Sequence, residues 1–331
     1  MKYRIFGRTG WQVSEIGYGM WGLAGWSGSD DQETRASLER AVELGCNFFD
    51  TAWAYGDGKS ERMLGRVLVE NRNRPGVGGP DRHLYVATKV PPKNRRWPST
   101  RSHTLDDCFP PEHIEEYVEK SLTNLGVDTI DLLQLHTWED RWLNDERLPR
   151  AIEKMKKSGK IRAFGPSVNR WEPHNGIRAV LEGCVDAVQV IYNIFDQNPE
   201  DALFPVCRMK NTAVIARVPF DEGTLAGTLT VDSRWPAGDW RNSYFVPENL
   251  TASVARSEAL GPLVPAGSTL AELSLRFILS NRDVSTTIPG MRRQKHVEAN
   301  CGTSAAGPLP EELLRSLRGH RWDRNPTSWS Q

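Results

Sequence analysis

Short apolar runs rich in Val, Ile, Leu and Phe recur along the 331-residue chain, and longer stretches with apolar residues at helical spacing lie between them. The runs read as strands end near Gly19 (EIGYG), Asp50 (NFFD), Lys89 (LYVATK) and His136 (IDLLQLH). The others end near Gly165 (IRAFG), Gln189 (DAVQV), Arg217 (AVIAR) and Ile288 (STTI). Helices are expected in DQETRASLERAVELG, SERMLGRVLVE, PEHIEEYVEKSLTNLG, ERLPRAIEKMKKSG, EPHNGIRAVLE and STLAELSLRFILS. Several open on an acid, Ser or Pro and close on Gly, as helix capping requires. Eight strand–helix units argue for a parallel sheet, and in a chain of this length they fit an α/β fold of the (β/α)8 TIM barrel type. A doubly wound sheet is the rival, but no GxGxxG follows the first strand, where that fold would want it.

The segment KYRIFGRTGWQVSEI precedes the first barrel strand and reads as a hairpin turned by Arg8, Thr9 and Gly10, placed to plug the barrel's bottom. Two segments exceed ordinary loop lengths: residues 91–110 after the third strand and roughly 220–250 after the seventh. Loops of that length in a compact domain serve more often as lids or binding loops than as filler. Residues 1–331 are expected to form one barrel domain.

Charge narrows the partners. The 42 basic and 42 acidic side chains cancel, which leaves no electrostatic case for nucleic acid or an anionic membrane. No apolar run is long enough for a transmembrane helix, and the N-terminus lacks the apolar stretch of a secretory signal. The five cysteines, Cys46, Cys108, Cys184, Cys207 and Cys301, are scattered and form no CxxC pair, which suits a reduced, cytoplasmic protein.

In a barrel of this kind chemistry sits at the C-terminal ends of the strands. Asp50, Lys89, His136, Ser167, Gln189 and Arg217 each stand in or just after a different strand, and Tyr55 follows the second. A phenol with an ordinary pKa of about 10 is a poor acid at neutral pH. A nearby ammonium lowers that value by favouring the phenolate, and a carboxylate keeps the ammonium charged and in place. Tyr55 as general acid, Lys89 as its tuner, Asp50 as partner of Lys89 and His136 as orienter make a carbonyl-protonating site. Such a site lacks a hydride, which no side chain supplies, so a nicotinamide is required.

FFDTAWAYGDGKSERMLGRVL resembles the FDTAxxYG…SExxLG signature of the aldo-keto reductases, and ATK at 87–89 and LLQLH at 132–136 resemble two further segments of that family. The resemblance runs from IGYGMWG to IPGMRRQKHVEAN. It implies a (β/α)8 barrel and NAD(P)H-dependent reduction of a small-molecule aldehyde or ketone, or the reverse oxidation of an alcohol. Carried over by position, Asp50, Tyr55, Lys89 and His136 are the family's catalytic tetrad. Ser167 and Gln189 match positions that bond the nicotinamide carboxamide, and Arg217 falls where many members stack a ring under the nicotinamide. A guanidinium can stack on a flat ring too. IPGMRRQKHVEAN matches the segment around the adenosine 2′-phosphate, implying contacts from Gly290, Met291, Arg292, Gln294 and Asn300. An arginine at a helix start clamps phosphate by charge and by the helix end, which favours NADPH (NADP+) over NADH. The family's GxSN reads GPSVN here, so Ser167 is paired with either Val168 or a shifted Asn169, of which Asn169 is preferred.

Duller readings compete. Taken singly, a strand-ending Asp is usually a cap, a Lys after a strand is usually solvated and a Tyr before Gly usually packs a loop. HTLDDC, at 103–108, gathers His, Asp and Cys, but its spacing matches no standard zinc pattern. Of the twelve tryptophans, Trp21 and Trp53 are expected in the substrate pocket, with Trp138 a further candidate. Trp322 and Trp329 either cover the barrel mouth or simply pack. Two other functions fit part of the pattern: an aldolase with Lys89 as its Schiff-base amine, and an NADPH-binding sensor acting through a partner.

Overall fold

Strands that alternate inward and outward side chains account for both hydrophobic layers of the molecule. In the computed structural model, which describes residues 1–23, 30–71, 74–325 and 327, a hairpin of β1 (Tyr3–Ile5) and β2 (Gln12–Ser14) comes first. Then follow β3 (Tyr18–Gly19), β4 (Phe48–Asp50), β5 (Tyr85–Val90), β6 (Ile130–Leu135) and β7 (Ile161–Pro166), parallel and side by side in chain order. A second parallel set holds β8 (Ala187–Ile191), β9 (Ala213–Arg217) and β10 (Thr286–Thr287).

Two seams join the sets into a ring. At one, Val168 N–H donates to the Gln189 carbonyl at 2.9 Å and Asp186 N–H to that of Phe164 at 2.8 Å. At the other, Gly17 N–H donates to the Thr287 carbonyl at 2.8 Å and Gly19 N–H to that of Pro289 at 3.0 Å. Each seam has a glycine where the backbones come closest. A Cβ on Gly165 would lie 2.3 Å from the Ala187 carbonyl oxygen, and one on Gly19 2.4 Å from that of Ile288. The eight strands β3–β10 are the barrel that the pattern of apolar runs anticipates.

Inside the ring, Phe48, Tyr85, Ala87, Leu132, Ala163, Ala187, Ala213 and Ile215 make one apolar cluster with Phe6, Trp11 and Val13 of the hairpin. Small alanines on four strands leave room for this plug: Trp11 stacks on Tyr85 at 5.0 Å and Phe6 meets Phe48 at 5.3 Å. The intervening residues, among them Phe49, Val86, Leu133, Phe164, Val188 and Val214, belong to the larger cluster under the helices. With the N-terminal end plugged, a cavity can open only at the strands' C-terminal end.

Helices Asp31–Glu43, Lys59–Asn71, Pro111–Leu125, Arg147–Lys157 and Leu270–Ser280 lie where periodicity places them. The stretch 172–182 yields only Ile177–Leu181, because Pro173 and Gly176 interrupt it. Leu203–Lys210, Pro247–Ala259, Gln294–Ala306 and Glu311–Arg318 are further helices outside the six anticipated. The long segment after β9 holds a 3-10 stretch, Asp221–Ala226, and a short helix, Arg241–Tyr244. The segment after β5 ends in helix Leu105–Cys108, where Thr104 and Asp107 form a reciprocal capping box, so Asp107 of HTLDDC is a cap. No helix among the described residues is long and apolar enough to cross a membrane.

Candidate active site

The same alternation that puts Phe48 in the plugged floor puts Asp50 two residues higher, inside the barrel and 2 % exposed. On β5, Lys89 stands two residues above Ala87 and is 1 % exposed. Its Nζ donates to Asp50 Oδ1 at 2.5 Å, to the Thr51 carbonyl at 2.8 Å and to Tyr55 Oη at 3.4 Å. The loop after β4 holds Tyr55 from both backbone sides: its N–H donates to the Ala52 carbonyl, and its own carbonyl accepts from Ser60 N–H. The His136 ring meets Tyr55 edge-on, with centroids 5.6 Å apart. Asp50, Tyr55, Lys89 and His136 therefore converge on one point at the cavity floor.

Gln134 belongs to this point as well. Its Nε2 donates to Asp50 Oδ2 at 3.0 Å, and Gln189 Nε2 donates to the same oxygen at 2.7 Å. Asp50 thus accepts one ammonium and two amide donors, which compensates a carboxylate for leaving water. The signal for Gln134 is present in LLQLH, since a residue two before His136 on a strand shares its face.

Burial works differently on each group. It would depress the Lys89 ammonium, but Asp50 and then Tyr55 outweigh it and hold Lys89 above its ordinary pKa. For Tyr55 the balance departs from the sequence expectation of a lowered phenol. Burial is the largest influence and raises it, and the opposing charge of Lys89 only partly offsets this. Tyr55 therefore keeps its proton at neutral pH, with the Lys89 ammonium beside it. Burial first, then the charges of Lys89 and Arg217, push His136 well below the usual imidazole value, so it is neutral. Its Nδ1 is buried with no hydrogen-bond partner.

The sign of the His136 shift gives a stability prediction. A folded value depressed below 6.5 means that the unfolded chain takes up the extra proton as pH falls, so stability is lost below about 6.5. His136→Gln is expected to make the acid side of the stability–pH curve shallower by about one proton, roughly 1.4 kcal/mol per pH unit. Urea denaturation between pH 5 and 7 measures this; an unchanged slope would mean His136 is protonated in the fold.

Above the floor a cavity of 710 Å³ opens among the strand ends and loops. Ser167, Asn169, Gln189, Arg217, Gly290, Met291 and Arg292 all line it, as does Trp21. Asn169 gives its amide N–H to the Ser99 carbonyl at 3.0 Å, and Arg217 Nη2 donates to the Val168 carbonyl at 3.0 Å while its Nε is buried without a partner. Two expectations are corrected. Trp53 does not line the cavity: it packs edge-on against Tyr117 at 4.7 Å beneath Arg95. Trp138 is fully buried, bonded to Asp140 and packed on Trp142. Gln294, implied at the adenosine 2′-phosphate, lies in a neighbouring recess with Glu33 and Arg293, and Asn300 is buried in the same helix. Of helix Gln294–Ala306, His296 reaches the cavity wall.

Trp97 and Trp240 line it instead. Trp97 meets the His136 ring edge-on at 5.7 Å, and Trp240 meets Trp21 at 5.0 Å across the mouth. Both come from the long segments after β5 and β9, whose irregular backbone leaves no periodic signal to read. Trp322 packs on Phe195 rather than over the mouth, and Trp329 lies outside the described residues.

Comparison with known proteins agrees with this geometry. Residues 15–321 match the family model described as the aldo/keto reductase family. The chain is 30 % identical over 313 residues to "Aldo-keto reductase yakc [NADP(+)]" of Schizosaccharomyces pombe, covering 92 % of this chain and 88 % of the relative. It is also 30 % identical over 337 residues to the "NADH-specific methylglyoxal reductase" of Escherichia coli, covering 96 % and 99 %. Among solved structures, the holo form of aldo-keto reductase AKR11C1 from Bacillus halodurans superposes with a TM-score of 0.74 at 25 % identity, covering both chains fully.

Proposed function

The chain belongs to the aldo/keto reductase family and is an NAD(P)-dependent oxidoreductase, and on that premise we propose that it reduces an aldehyde or ketone to an alcohol with NADPH, using Tyr55 as proton donor. The observation that carries this reading is the Lys89 ammonium, which touches Asp50 on one side and the Tyr55 phenol on the other at the floor of the cavity.

The residues fit a nicotinamide nucleotide. The cavity has the volume of a cofactor site. Asp50 takes the N–H of Gln189, and Ser99 that of Asn169, so each amide has its oxygen left for a carboxamide. Arg217 offers a guanidinium plane with an unpartnered Nε, and Arg292 lines the wall as a phosphate clamp. When bound, the reduced nicotinamide supplies the hydride. Tyr55 gives its proton to the carbonyl oxygen, and Lys89 stabilises the phenolate left behind. Neutral His136 donates an N–H to the same oxygen and fixes its position. The Schiff-base reading of Lys89 is disfavoured, because a nucleophilic amine needs a lowered pKa and Lys89 stands above its ordinary value beside Asp50.

Titration of NADPH and NADH against tryptophan fluorescence tests the cofactor, a needed test because one relative is named as NADH-specific. NADPH is expected to bind more tightly, and Arg292→Ala to lose about 10–100-fold of that preference, the worth of a charge-assisted phosphate contact. Equal binding of both nucleotides would remove the clamp, and binding of neither would remove the reductase reading.

A further inference from the structure

The wall of the cavity after β9 is held in an unusual backbone shape. Val218, Asp221 and Glu222 have φ of +54°, +45° and +57°, a region L-residues rarely adopt and β-branched valine least of all. Such strain persists only where surrounding contacts over-determine it. Val218, Pro219, Phe220 and Glu222 face the cavity, whereas the Asp221 side chain turns away and is fully buried.

Two arginines meet it there. Arg170, from the loop after β7, donates to Asp221 Oδ1 at 2.5 Å and to Asp196 Oδ2 at 3.0 Å. Arg324, from the segment following the last helix, donates to the same two oxygens, each at 2.8 Å. Asp196 in turn accepts from Asn193 Nδ2 at 3.1 Å, and that amide also donates to the Val218 carbonyl at 3.0 Å. One arginine of the C-terminal segment is thus linked to two of the three strained points of the wall, directly at Asp221 and through Asp196 and Asn193 at Val218. Its side chain is 9 % exposed, and its guanidinium lies 4.4 Å from the Trp322 ring, which is seated on Phe195.

We propose that Arg324 is a positioning residue of the nucleotide site: with Arg170 it latches Asp221 and so keeps the wall Val218–Gly223 in its receiving shape. The inference rests on the reading of this cavity as a nucleotide site. The latch does no chemistry. It lowers the ordering cost that binding would otherwise carry, so its loss weakens nucleotide binding without slowing hydride transfer at saturation.

Hydrogen–deuterium exchange of the nucleotide-free protein, with NADPH titration alongside, tests it. Arg324→Met is expected to raise deuterium uptake in residues 218–229 and to raise the NADPH Kd about tenfold or more, equivalent to roughly 1.4 kcal/mol, while single-turnover rates at saturating NADPH stay within about threefold. Arg208→Met, which removes a surface pair with Asp283, is expected to change neither. Since one unpaired buried charge can itself unfold a protein, the charge-balanced Asp196→Asn/Arg324→Met stands in if the single variant does not fold, with the same expectation. Unchanged uptake, or raised uptake with unchanged affinity, overturns the latch. A wild type that binds neither nucleotide overturns the functional reading on its own.

Discussion

Tyr55→Phe is expected to cut carbonyl turnover by roughly 10²–10⁴-fold, the usual worth of a positioned general acid, and to leave NADPH affinity unchanged. The phenol's hydrogen bond is the 3.4 Å contact from Lys89, and the ring's edge-on packing against His136 survives in phenylalanine. Stability should therefore fall by no more than about 0.5–1.5 kcal/mol. Single-turnover oxidation of NADPH followed by absorbance separates the two effects. Turnover retained within about tenfold would place the proton donor elsewhere, with His136 the next group at hand.

Lys89→Met should damage both chemistry and fold. It removes the cation beside the phenol, and it leaves the Asp50 carboxylate, 2 % exposed, with amide donors alone. Breaking a buried ion pair on one side costs about 3–5 kcal/mol, because the remaining charge stays buried. The double variant Asp50→Asn/Lys89→Met removes both charges and is expected to recover most of the stability and none of the activity. Urea denaturation with turnover on the same samples decides it; a double variant no more stable than the single one would show that packing around the pair, rather than the stranded charge, is lost. The sign of the pH dependence follows from the same pair. Because Lys89 is held above its ordinary 10.5 in the fold, its contribution is complete below about that value and is lost as pH rises through the higher folded one.

Much of this site is legible in the chain before any coordinates. Period-2 alternation in NFFD, LYVATK and LLQLH puts Asp50, Lys89 and His136 on the inward faces of three strands. Barrel topology then brings the strand tips together however far apart they lie in sequence. The same rule reaches Gln134 once the strand is set. Capping and glycine stops place five of the long helices for a similar reason: local hydrogen bonding and an apolar stripe are encoded within a few turns.

What the chain did not disclose depends on segments without a period. Trp53 follows its strand just as Trp21 does, yet Tyr117 and Arg95 draw it outward, while Trp97 and Trp240 arrive from long loops to take the cavity wall. The balance at Tyr55 was likewise invisible, since burial and a nearby charge act in opposition and only depth and distance say which prevails. The sequence by itself determined the barrel and the convergence of Asp50, Lys89 and His136, because both follow from local periodicity repeated eight times. Only the tertiary structure decided which loops wall the cavity, how Tyr55 holds its proton and how Arg324 reaches Asp221, because each depends on contacts between segments far apart in the chain.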